Sequence, residues 1–75
     1  MQKIPVYGSY TKGSKTVFTV EKPVLDKIEV GSEFIPMTDR NEYLYDVTQD
    51  LYGKIEKIEG DKLTCTVYKR SMVSR

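Results

Sequence analysis

From Lys62 the chain reads Lys-Leu63-Thr64-Cys65-Thr66-Val67-Tyr68, apolar and hydroxyl-bearing residues in strict alternation, a pattern suited to an extended strand with two unlike faces. Gly60-Asp61 stands just before it as a two-residue hairpin signal, preceded by Gly53-Lys-Ile55-Glu-Lys-Ile58-Glu. Leu63, Cys65 and Val67 claim one face of the second strand, and Thr64, Thr66 and Tyr68 the other. Ile55 and Ile58 are three residues apart. Both can face a core only if the first strand bulges near Glu56-Lys57, which would also bend it.

The N-terminal part reads as a second hairpin. Ile4, Val6 and Tyr10 occupy even positions and predict a strand through about residue 10, with Pro5 near a strand start or an edge. Tyr10 to Thr16 is turn-rich and leads into Val17-Phe18-Thr19-Val20, so residues 1–22 predict a hairpin with Gly13 near its tip. Pro23 ends that strand, and Val24 to Val30 fits neither period, as expected of a connecting loop. Gly31-Ser32 then turns the chain into a short strand, Glu33 to Met37, where Pro36 predicts an edge or a bulge.

Residues 38–53 support two readings. Asp39 to Glu42 has capping-box spacing, Leu44, Val47 and Leu51 have helical spacing, and Gly53 stands where a helix C-cap would. Against that, Tyr43, Tyr45 and Val47 alternate like a strand, with Asp39 to Glu42 as the polar turn before it. The strand is the preferred reading, with Thr48 to Tyr52 as a loop or a single helical turn.

A chain of 75 residues makes one domain, residues 1–75, whose thin core rarely supplies more than about 3–5 kcal/mol. It has one cysteine and no histidine, so neither an intramolecular disulfide nor an ordinary zinc site can reinforce that core. The lone thiol and the polar start Met-Gln-Lys-Ile-Pro fit a cytoplasmic protein. No apolar run approaches the roughly 20 residues that span a bilayer, so no membrane partner is expected. Lysine outnumbers arginine, a weak pointer to an AT-rich bacterial or phage genome.

The stretch Val30-Gly31-Ser-Glu-Phe34, the aromatic pair Tyr43 and Tyr45, and the run from Gly53 through Gly60-Asp61 to Val67 resemble SH3-like small barrels of the Tudor and KOW type. The resemblance covers roughly residues 28–69. It implies a mainly β fold, a five-stranded, strongly bent SH3-like barrel, with room for one short helix or helical turn within residues 39–53. Members bind peptides, modified side chains or nucleic acid through exposed aromatics. The chain lacks tryptophan and a four-aromatic cage, which departs from the Tudor pattern. An OB-like barrel is the alternative architecture.

Without histidine, the commonest general base at neutral pH is missing. Cys65, between Leu63 and Val67 on the apolar face, reads as a buried, inert thiol. The carboxylate pairs Asp39/Glu42, Asp46/Asp50 and Glu29/Glu33 read as solvated surface, and the glycines form no phosphate-cradling motif. The sequence therefore implies no catalytic residue, metal or cofactor.

Six tyrosines and a segregated charge pattern remain. Bases predominate in residues 1–25 and 51–75, acids in residues 26–50. Half the tyrosines are expected in the core, with Tyr43 and Tyr45 sharing a face and Tyr7, Tyr10 and Tyr68 exposed. Pairing of the first and last strands, usual in SH3-like barrels, would bring Tyr7, Tyr10, Lys12 and Lys15 beside Tyr68, Lys69 and Arg70. The expected function is a non-enzymatic module that binds and modulates a larger protein, in the manner of a small phage- or mobile-element-encoded inhibitor or adaptor. Rings among lysines also suit a nucleic-acid-binding barrel, although the net charge of +1 counts against it. A homo-oligomeric structural component follows from the thin core and from edge strands expected at Pro5 and Pro36.

Overall fold

The C-terminal hairpin is the centre of the molecule. In a computed structural model describing residues 1–46 and 50–70, β5 (Leu51–Glu59) and β6 (Lys62–Lys69) pair from Leu51↔Lys69 to Glu59↔Lys62. The register shifts between Ile55 and Lys57, so the bulge required by the spacing of Ile55 and Ile58 is present. Gly60 has φ +59°, and Asp61, the second loop residue, is not in the positive-φ region, the pattern of a type II′ turn.

Four further strands join this hairpin: β1 (Gln2–Pro5), β2 (Gly8–Lys12), β3 (Lys15–Thr19) and β4 (Glu33–Met37). One helical turn, α1 (Lys22–Leu25), carries Pro23 near its start, where a missing N–H is harmless. Part of the predicted connecting loop is thus helical. The expected N-terminal hairpin is present as β2 and β3, closed by Gly13-Ser14 with Gly13 at φ +64°.

The sheet order is β1-β4-β5-β6-β3-β2, six strands where five were expected, and the sheet does not close into a barrel. The first strand does not pair with the last. β1 runs parallel to β4, with Ile4 opposite Pro36, while β6 lies between β5 and β3. The single strand expected through residue 10 is split at Val6-Tyr7 into β1 and β2, which occupy the two outermost positions of the sheet. Val6 N–H donates to Met37 O and Tyr7 N–H donates to Thr19 O, both at 2.8 Å, so adjacent residues bind the β4 and β3 sides in turn. A two-residue link can join opposite edges only because the sheet curls strongly.

Pro36 lies on an interior strand with no register shift, where its ring had suggested an edge or a bulge. Its cost is small for a local reason: the β4–β5 register runs through Glu33 and Phe34 and ends before Pro36. Its carbonyl accepts from Leu44 N–H at 3.2 Å.

Residues 38–46 form neither predicted element. Thr38 Oγ1 accepts from Arg40 N–H (3.3 Å) and Glu42 N–H (3.2 Å), making the polar turn expected before Tyr43. Tyr43 then makes a single bridge to Met37 and no strand follows through Tyr45. Val47, Thr48 and Gln49 lie outside the described residues. Leu51 and Tyr52, expected in a loop or turn, open β5, and Gly53 lies within the strand, as the preferred reading has it, and does not cap a helix.

The core lies on the concave side. Ile4, Val6, Phe18, Val20, Phe34, Ile55, Leu63 and Cys65 form one cluster, covered by Val24, Leu25, Ile28, Leu44 and Tyr45. Phe18 and Phe34 meet edge to face at 5.7 Å and 77°. Gly53 lies directly against this pair: a Cβ there would stand 3.4 Å from the Phe34 ring, about van der Waals contact. No tyrosine is fully buried, and of the half expected in the core only Tyr45 packs against it.

Candidate binding face

Residues directly opposite each other in a sheet share a face, so the register itself assembles the outer surface. Across that face run Tyr10, Val17 (itself buried), Thr64 and Lys57 in one row, Lys12 and Lys15 in the next, then Lys54 with Thr66, and Tyr52 with Tyr68. Lys3, opposite Ile35, continues this face on the other side of the hairpin. Its Nζ lies 5.2 Å from the centroid of the Tyr43 ring.

Two arrangements order the face. Tyr52 and Tyr68 stack, with centroids 5.5 Å apart and planes inclined by 29°. Lys15 Nζ donates to Thr66 Oγ1 at 2.8 Å, and Thr66 Oγ1 donates to Glu56 Oε2 at 2.9 Å. Lys15 and Glu56 are themselves 3.8 Å apart. The bulge thus places one carboxylate among the lysines and partly balances Lys15. Tyr10 and Tyr68 remain 53% and 41% exposed.

The seven residues singled out in the sequence divide. Tyr10, Lys12, Lys15 and Tyr68 lie on this one face, brought together through β3 and β6 and not through pairing of first and last strands. Tyr7, Lys69 and Arg70 do not join them. Lys69 pairs with Leu51, out of phase with Tyr68. Arg70 Nε donates to Asp50 Oδ1 at 2.9 Å and its N–H donates to Asp50 O at 2.9 Å, which pins the end of β6. Tyr7 is exposed at the other end of β2, where it lines a groove with Glu21, Pro23 and Leu25. Desolvation, then the Glu21 and Asp39 carboxylates, hold its phenol above the ordinary pKa.

Tyr52, Lys54, Lys3 and Tyr43 belong to the face and were not singled out. For Tyr52 and Lys54 the signal was available: the alternation of β5 extends backwards from Ile55 through Gly53. Lys3 and Tyr43 had none, because they meet across a parallel pairing that leaves no local pattern. Tyr43 and Tyr45 line one groove together, with Ile35, Pro36 and Leu51. Tyr45 packs on the core, within reach of Thr16 and Cys65, and burial raises its phenol pKa.

Cys65 is fully buried, and burial first, then the Glu56 carboxylate, push its thiol up to about 12. Its Sγ lies 3.6 Å from Leu63 O. A thiol held protonated in this way is a packing group.

No protein-family model, curated protein or solved structure matches this chain.

Proposed function

We propose that the chain is a non-enzymatic binding module that engages a larger protein through the outer face of its sheet, in the manner of a small inhibitor or adaptor. The observation that carries this reading is the gathering of Tyr10, Tyr52 and Tyr68 with Lys12, Lys15 and Lys54 on one face of rigid strands. Tyrosine offers flat apolar area and a polar tip at low entropic cost, and it is enriched at binding hot spots. The lysines favour an acidic partner surface and speed its approach.

Capture from the source lysate at physiological salt, with nuclease, tests this reading. The wild type retains a stoichiometric protein, and a Tyr10→Ala/Lys12→Glu/Tyr68→Ala variant that is equally folded loses it. Equal retention by both forms removes the outer face from the reading.

The Tyr52–Tyr68 stack among lysines supports a second reading, a single-stranded nucleic acid held by stacking and phosphate neutralisation. Fluorescence anisotropy with a labelled oligonucleotide separates the two. Nucleic-acid binding weakens steeply as salt rises from low to physiological levels, and absence of binding at low salt excludes it.

A further inference from the structure

The sheet has two edges, and they are protected unequally. β1 is four residues long and carries Lys3 and Pro5, a charge and a missing donor of the kind that discourages further pairing. β2 has five residues, Gly-Ser-Tyr-Thr-Lys, all exposed, with no proline, no recorded bulge and its only charge at the final position. Among the described residues it pairs with β3 alone.

The hairpin fixes which backbone groups of β2 are free. A two-residue loop makes Lys12 and Lys15 a hydrogen-bonded pair, so Tyr10 with Val17 is another, and Ser9 and Thr11 alternate with them. Ser9 and Thr11 therefore direct their N–H and C=O groups away from β3, along the open edge.

The same strand is electrically polarised. Lys12 and Lys15 stand at its hairpin end. At its Gly8 end, Asp39 lines a groove with Gly8 and Ser9, and Glu21 lines the neighbouring groove with Tyr7.

We propose that β2 is a homodimerisation edge: two copies pair β2 to β2, antiparallel about Tyr10, into one continuous sheet. In this register Ser9 of each copy faces Thr11 of the other, and each pair exchanges both backbone hydrogen bonds. Lys12 of one copy falls opposite Gly8 of the other, beside the acidic Glu21 and Asp39, and the twofold axis repeats that match. Parallel pairing would set the two basic ends together. Tyr10 meets Tyr10 of the second copy as a non-hydrogen-bonded pair on the outer face, where side chains approach most closely. The two outer faces become contiguous. Because the contact is isologous it closes at two copies, and its size places it in the small, dissociable class.

Sedimentation equilibrium of the full chain over a wide concentration range, at low and high salt, tests the proposal. The expected result is a monomer–dimer equilibrium with no larger species, weakened by salt. Tyr10→Lys opposes like charges at the axis and Thr11→Pro removes an outward N–H. Each shifts the dissociation constant by about tenfold or more towards monomer, with an unchanged far-ultraviolet circular dichroism spectrum. Tyr10 is exposed, so its variant keeps the fold even if Thr11→Pro does not. A wild-type monomer at every concentration, a dimer indifferent to Tyr10→Lys, or open-ended growth would each overturn the proposal.

Discussion

The β2–β3 and β5–β6 hairpins are built with the same local chemistry and stand in opposite situations. Each closes on a glycine of positive φ, Gly13 and Gly60, followed by one small polar residue. Both β5 and β6 are flanked on each side, by β4 and by β3, whereas among the described residues β2 has a neighbour on one side alone. β6 buries Leu63 and Cys65 completely, while every residue of β2 is exposed. A turn therefore secures a hairpin, but only packing on its face and pairing at both flanks make a strand part of the core.

The strongest challenge to this contrast is truncation on β6. Leu63→Ala is expected to cost about 2–5 kcal/mol, because Leu63 is fully buried and the closely packed core collapses only partly around the vacancy. Chemical denaturation measures it, and a loss under 1 kcal/mol would mean that the C-terminal hairpin is not the centre of stability.

Alkaline pH probes the same strand. The Cys65 thiol has its pKa raised from 9.0 to about 12 by burial, so the unfolded state ionises first. Its contribution is fully present below about pH 9 and is lost as the pH rises towards 12, by up to about 4 kcal/mol. Comparing Cys65→Ala with the wild type across that window isolates this part, and the variant is expected to lose stability less steeply. Parallel slopes would contradict the buried thiol.

The two turns sharpen the comparison from the other side. A Cβ at Gly13 or Gly60 meets nothing within 4 Å, so Gly13→Ala and Gly60→Ala each carry backbone strain alone, about 1–2 kcal/mol. Equal losses are expected despite the unequal surroundings. A much larger loss at Gly60 would show that the turns are not equivalent. The smallest effect belongs to Tyr10→Ala, expected within about 0.5 kcal/mol of neutral in thermal or chemical unfolding.

Legibility followed the range of the interaction. The bulge at Glu56-Lys57 was readable because two isoleucines three apart cannot share a face without it. The burial of Cys65 was readable from its alternation with Leu63 and Val67. Tyr10, Lys12, Lys15 and Tyr68 were readable as one group, although the pairing expected to unite them was not the one that does. Lys3 and Tyr43 were not readable at all, because one parallel ladder and one bridge bring them together from distant positions. Asp39 to Glu42 misled in its helical reading: its capping-box spacing is shared with a turn, and Thr38 organises that turn instead.

The sequence by itself determined the two hairpins, their turn residues, the bulge and the inward face of β6. These depend on backbone preference and side-chain alternation within a few residues, and the chain carries both locally. Only the tertiary structure decided that residues 2–12 break at Val6-Tyr7, that β1 joins β4 in parallel, and that the sheet ends in six strands on an open edge. Those outcomes rest on how Phe18 and Phe34 pack and on which backbone groups find partners far along the chain, and no short-range pattern encodes either.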